Sequence, residues 1–192
     1  MERNSVTNKK TIRKEVLAKR NSLSPDTIEI SSGIIADKVL SLDEFKKAKT
    51  ILLYSSFGSE VKTDLLIKKA LEYGKEVYLP KVEGEDMNFY HISLKEELLK
   101  GAWGIEEPKG EPDKIFRGDK DALVVMPLVG YDREGNRIGY GKGYYDRFLV
   151  SHETGLKIGI AFGIQECEIS PEPTDIRLDM LVNENEIIGE KE

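Results

Sequence analysis

Cysteine is almost missing: Cys167 is the only one in 192 residues. A lone thiol excludes an internal disulfide and fits a reducing compartment, so a cytoplasmic location is expected. Histidine is nearly as scarce, with only His91 and His152, far apart in the chain. That argues against a zinc site of His and Cys and against a histidine-based catalytic triad. No apolar run reaches the roughly 18–20 residues of a membrane helix, and no membrane association is expected. The opening stretch MERNSVTNKKTIRKEV is charged and has no apolar centre, so no secretory signal is expected. Positive charge is in deficit, with 29 Lys and Arg against 35 Asp and Glu and a net charge of −6. A nucleic-acid binder usually shows a basic face, so nucleic acid is not the expected partner. A local basic pocket for a phosphorylated small molecule is still compatible with that balance.

With 39% hydrophobic and 33% charged residues, the composition is that of a soluble globular chain. The length fits one domain over residues 1–192. Residues 7–21 carry Ile12, Val16 and Leu17 among charges, the pattern of an exposed amphipathic helix. Ser24 followed by Pro25 reads as an N-cap and first helical residue, opening a helix to about Leu40 with Ile28, Ile35, Val39 and Leu42 on its buried side. Thr63–Gly74 is a further helix closed by glycine, and Gly143–His152 a last one. Short apolar runs at Thr50–Ser55, Glu76–Pro80, Met87–Ile92, Ala122–Pro127, Leu156–Phe162 and Met180–Glu184 read as strands.

Solid apolar strands alternating with helices imply a mixed, mostly parallel sheet covered on both faces: a three-layer α/β/α sandwich. In such sheets ligands sit beyond the carboxyl ends of the strands. That rule selects Ser55–Glu60, Pro80–Lys81 and Pro127–Gly143. Leu98–Asp121, rich in Gly, Pro and charge, is expected to be a long surface excursion with the character of a lid.

The stretch NRIGYGKGYYDRFL, Asn136–Leu149, is the most informative. Glycines at 139, 141 and 143 allow backbone amides to turn outward into a concave anion nest. The loop runs into a helix N-terminus that aims more amides, and a positive dipole end, at the same point. Lys142 and Arg137 can add charge-assisted contacts. Asp146 either holds a hard cation such as Mg²⁺ or complements the helix dipole. A bare G-x-G-x-G is equally an ordinary flexible turn, and it is neither a Walker A loop nor a Rossmann fingerprint. The following YYDR sharpens it, since two adjacent tyrosines cannot both face the core.

GNRIGYGKGYYDRFL resembles the signature of the 5-formyltetrahydrofolate cyclo-ligase (5,10-methenyltetrahydrofolate synthetase) family. The resemblance covers nearly the whole chain: Lys9…Arg13, LLYSSFGSEVKT, LPKV, WGIEEP, VVMPLVGYDREGNRIGYGKGYYDRFL and PTDIRLDMLVNE fall in the family's order. It implies ATP- and Mg²⁺-dependent conversion of 5-formyltetrahydrofolate to 5,10-methenyltetrahydrofolate with release of ADP and phosphate, by a monomer with ATP and the folate as its small-molecule partners. The formyl oxygen would be phosphorylated and nitrogen 10 of the folate would close the ring. The resemblance further implies that Lys9, Arg13 and the loop residues Arg137, Ile138, Gly139, Tyr140, Gly141, Lys142, Gly143, Tyr144 and Tyr145 bind the nucleotide. Arg13, Ser55, Phe57, Glu60, Trp103, Tyr140, Gly141, Lys142, Gly143 and Tyr144 would bind the folate, with Tyr144 and Lys142 nearest the chemistry. Asp146 and Asp179 would be metal ligands.

Several of these residues have an ordinary alternative. Lys9 and Arg13, at i,i+4, share one helix face and by themselves equally make a solvated basic stripe. Glu60 is as readily a plain loop carboxylate, Trp103 a minor core contact, and Asp179 a surface residue before a strand. Two other functions remain open on residues alone. A sugar-phosphate isomerase or CoA-transferase relative would share the architecture, although no catalytic Glu stands in a Gly-rich CoA-type motif. The other is a non-catalytic nucleotide- or folate-binding module.

Overall fold

The computed structural model describes residues 2–93, 98–101 and 104–189, the side chains of 2–8 excepted. Helix α1 (Glu2–Asn21) carries the basic N-terminal stretch. Helix α2 (Pro25–Ser41) starts as its sequence dictates: Ser24 accepts the Thr27 N–H and Pro25 occupies the first turn. Its expected stripe, Ile28, Ile35 and Val39, is buried, as is Leu42 just beyond it. A short α3 (Asp43–Lys47) leads into strand β1 (Thr50–Leu52), then α4 (Asp64–Glu72). Strands β2 (Glu76–Glu83) and β3 (Asp86–Ile92) form an antiparallel hairpin, longer than the two separate strands expected from the sequence.

Next come the two-residue strands β4 (Leu99–Lys100) and β5 (Glu106–Glu107), paired with each other. Central strand β6 (Leu123–Pro127) follows, then a second small pair, β7 (Gly130–Tyr131) and β8 (Arg137–Ile138). Helix α5 (Tyr144–Ser151) precedes β9 (Lys157–Ile160), β10 (Met180–Val182) and the edge strand β11 (Ile187–Ile188).

The main sheet has seven strands in the order β11-β10-β9-β6-β1-β2-β3. The five inner strands are parallel and the two edge pairings antiparallel. Successive residues of a strand point to opposite faces. Accordingly Leu123 and Val125 join Ile35, Val39, Phe45 and Leu66 of α2, α3 and α4 on one side. Val124 and Met126 join Phe148 of α5, Phe89 and Phe116 on the other. This double burial is why the strands read as unbroken apolar runs. Helix α1 packs elsewhere: Val16, with Ile12 and Leu17, meets Val129 and Ile138 beyond the end of β6.

Phe116 corrects one expectation. The segment Leu98–Asp121 is not simply a surface excursion, because Phe116 is buried between Tyr78 and Phe148, and Ile115 bridges to Tyr90 of β3. Among the described residues no helix is long and apolar enough to cross a membrane.

Candidate active site

Strand order places the site. The β1–α4–β2 crossover moves to one side of β1, whereas β6 pairs on its other side. The loops leaving the carboxyl ends of β1 and β6 therefore diverge and open a crevice between them, the usual ligand position in open α/β sheets. Ser55–Glu60 leaves β1, and the glycine loop leaves β6 by way of β7 and β8.

The two loops meet at Glu60. Its carboxylate is 3% exposed. Oε1 accepts the Tyr140 hydroxyl at 2.6 Å and Oε2 the Phe57 N–H at 3.0 Å. Burial pushes its pKa up, and the bonds from Tyr140 and Phe57 with the charges of Arg20 and Lys62 only partly oppose this. The Phe57 and Tyr140 rings lie 5.7 Å apart. Tyr145 points toward the same place: burial, and then the nearby Glu60 charge, raise its hydroxyl above the usual tyrosine range. Contrary to expectation, both adjacent tyrosines pack against the core cluster around Phe148, and Tyr144 also lies beneath the Arg147 guanidinium, 5.3 Å from the ring centre.

Gly141 (φ 91°) and Gly143 (φ 68°) adopt the left-handed backbone that only glycine takes cheaply. Gly143 caps α5, whose first N–H groups have no partner within the helix by geometry. Among the described residues, the N–H groups of Gly141, Lys142, Gly143 and Tyr144 donate to no protein acceptor. Arg13 comes down from α1, donates Nε to the Gly139 carbonyl at 2.7 Å and lays its terminal nitrogens beside Gly141. Lys142 is exposed on the same turn. The other flank is pinned by Arg147, which donates to the Lys142 carbonyl at 2.8 Å and to that of Glu85. Open amides and the Arg13 guanidinium thus lie together on a turn that also carries Lys142, an arrangement suited to phosphate oxygens.

Other expected residues lie elsewhere. Lys9 is engaged by Asp175 at 2.6 Å and Glu172 at 3.4 Å, so it does not join Arg13 at the loop. Arg137 is buried and binds Asp146 at 2.7 Å and the Ile176 carbonyl, bracing the loop from beneath rather than facing an anion. Ile138 is buried against α1 and contributes its carbonyl to Val129 N–H at 2.7 Å. Asp146 takes the Arg137 contact and the Ile176 N–H through Oδ1. That leaves Oδ2 as the atom able to meet a cation. Asp179 is not brought to it: it stands at the amino end of β10, where Oδ2 binds Lys157 Nζ at 2.7 Å and Lys157 N–H at 2.8 Å. Among the described residues no cluster of three His, Cys, Asp or Glu side chains could hold a metal.

Ser55 faces a neighbouring cleft of about 490 Å³ between α4 and residues 104–106, a volume in the range of small-molecule sites. Among the described residues its Oγ is buried without a hydrogen-bond partner. Trp103, expected to bind the folate from the segment 98–121, lies outside the described residues.

Sequence reasoning missed Arg20, 3% exposed. It donates Nε to Ser59 Oγ at 3.0 Å and Nη2 to the Tyr140 hydroxyl at 2.8 Å. One signal was available: Arg13, Val16 and Arg20 share a helix face, and Val16 marks that face as inward.

Crevice, open amides and buried carboxylate make an α/β arrangement suited to an anionic ligand on the glycine loop, beside a second, partly apolar cleft. The sequence profile of the 5-formyltetrahydrofolate cyclo-ligase family matches residues 5–184. A probable 5-formyltetrahydrofolate cyclo-ligase of Schizosaccharomyces pombe is 34% identical over 86% of this chain and 90% of its own. The NMR structure of Aquifex aeolicus 5,10-methenyltetrahydrofolate synthetase superposes with a TM-score of 0.82 at 38% identity, covering 94% of this chain and 91% of that one. The Mycoplasma pneumoniae 5,10-methenyltetrahydrofolate synthetase superposes with a TM-score of 0.72 at 29% identity, over 92% and 99%. The chain belongs to the 5-formyltetrahydrofolate cyclo-ligase family and is a ligase of folate one-carbon metabolism.

Proposed function

We propose that the protein joins ATP and 5-formyltetrahydrofolate at the β1/β6 crevice and yields 5,10-methenyltetrahydrofolate, ADP and phosphate. The observation that carries this reading is the meeting of the open-amide glycine loop with Glu60 across the crevice. The triphosphate lies on the amides of Gly139–Tyr144, with Arg13 and Lys142 on its oxygens. The folate lies against Glu60, Phe57 and Ser55, where a carboxylate, an acceptor only, matches a donor-rich pterin edge.

Chemically, the formyl oxygen attacks the γ-phosphorus as the bond to ADP breaks. Nitrogen 10 then attacks the activated carbon, the carbon–oxygen bond breaks, phosphate departs and the nitrogen-10 proton is lost. Ring closure is intramolecular, so alignment supplies much of the rate. The chain's residues need only hold the reacting atoms in line, offset charge on the transferring group and exclude water. Lys142 and Tyr144 stand nearest that transfer. Mg²⁺ would be held by Asp146 through Oδ2 with phosphate oxygens and water, a one-carboxylate arrangement usual for this ion. Bound there, it supplies positive charge to the phosphates. A monomer in the cytoplasm completes this reading, and the single cysteine supports the location.

The test is to mix protein, 5-formyltetrahydrofolate and Mg-ATP and follow methenyl-folate absorbance. Product that needs both substrates is expected; binding without product would leave only a ligand-binding module. Lys142→Ala should weaken ATP use more than folate binding. Unchanged apparent ATP affinity and turnover would count against the phosphate assignment.

A further inference from the structure

Two arginines are buried among the described residues, Arg20 and Arg137. Arg137 is neutralised directly by Asp146. Among the described residues Arg20 forms no ion pair with a carboxylate and instead reaches across the crevice. From the end of α1 it donates to Ser59 in the β1–α4 loop, to the Tyr140 hydroxyl in the glycine loop and, at 3.5 Å, to the Leu128 carbonyl just past β6. Its guanidinium carbon also lies 5.7 Å from the centre of the Tyr140 ring. One planar fork therefore ties together the loops that define the two sides of the site.

Hydrogen-bond chemistry makes this contact directional. Arginine has donors and no acceptor. The Tyr140 oxygen must accept from Arg20, so its single proton is left for Glu60, 2.6 Å away. Without Arg20 the phenol is free to rotate its proton elsewhere.

We propose that Arg20 is a positioning residue for the folate side of the site: it orients the Tyr140 hydroxyl and through it holds the Glu60 carboxylate as a fixed, ionised acceptor between the two loops. The inference rests on the reading above that Glu60 receives the folate. The groups facing Glu60 are Arg20 from α1, Lys62 and Tyr54 around the β1–α4 loop, Tyr140 from the glycine loop and Tyr145 from α5. All three tyrosines are held above their ordinary range, first by burial. Glu60 is therefore the group in this cluster that titrates on the acid side, and Arg20 and Tyr140 both favour its charged form.

Steady-state kinetics of the full chain test this with Arg20→Met, Arg20→Lys, Tyr140→Phe and the double variant Arg20→Met/Tyr140→Phe. Arg20→Met should raise KM for 5-formyltetrahydrofolate by roughly tenfold to a hundredfold, the worth of a charge-assisted hydrogen bond, with KM for ATP little changed. The acid limb of kcat/KM for the folate should move to higher pH in Arg20→Met and in Tyr140→Phe. Arg20→Lys should move it back toward the wild-type position. The double variant should lose no more than the worse single, because both changes break one chain of contacts. A merely structural arginine would lower Tm without moving the limb. If Arg20→Met does not fold, Tyr140→Phe, which keeps the ring and removes one hydroxyl, must still show the limb shift. Turnover by the wild-type protein with unmoved limbs, additive losses or an equal rise in KM for ATP overturns the inference alone. No turnover by the wild-type protein overturns the cyclo-ligase reading and this inference with it.

Discussion

Glu60 is a carboxylate kept in a place that disfavours its charge. Burial raises its pKa above the ordinary value of 4.5, so the fold favours the protonated form. Its contribution to stability is full below that ordinary range and is lost as pH rises through the raised folded value. Glu60→Gln should therefore gain in Tm relative to the wild type as pH rises above about 4.5 through the raised folded value of Glu60, while turnover falls. Thermal melts of both proteins across that range check this, and a Tm difference independent of pH contradicts it. Individual roles were only partly legible in the sequence. The i,i+4 spacing of Lys9 and Arg13 says that they share a helix face; it does not say that Asp175 captures one and the Gly139 carbonyl the other. Asp146 and Arg137 both looked ligand-facing; that they also engage each other could not be read from the sequence. Such pairings depend on chain segments that sequence spacing cannot bring together.

Helices and inner strands were the readable part. Ser24–Pro25 set the start of α2 by capping chemistry alone, and β1 and β6 declared themselves by burial on both faces. The segment after β3 was less readable, because its apolar residues are few and widely spaced among charge. Phe116 is the one that anchors it, at 4% exposure beside Phe148 and Tyr78. Phe116→Ala should cost about 3–5 kcal/mol, the usual loss for emptying a buried aromatic site. A peripheral lid residue would cost far less. Urea unfolding distinguishes the two outcomes. The β2–β3 hairpin was likewise hidden, since its turn at Gly84 joins two runs that each look like an independent strand.

The two large core clusters lie against the same seven-stranded sheet, and the small third one under α1 adjoins the end of its central strand, so the described chain should melt in one transition. Saturating Mg-ATP, at about a hundred times its Kd, should stabilise the folded state by about 2.7 kcal/mol. Calorimetry with and without the nucleotide reads both, and two separate transitions would argue for more than one folding unit. The three-layer architecture was plain from the alternation of strands and helices; the switch point was not, because strand order is invisible until the strands pair. Helix α1 belongs to this scale. Its grips on the site, Arg13 to Gly139, Arg20 to Tyr140 and Arg20 to Leu128, span 126, 120 and 108 residues. Contacts between segments so far apart carry a high cost in chain entropy. The sheet can therefore be paired while the crevice is still slack, and the two loops are drawn together only when α1 docks across them.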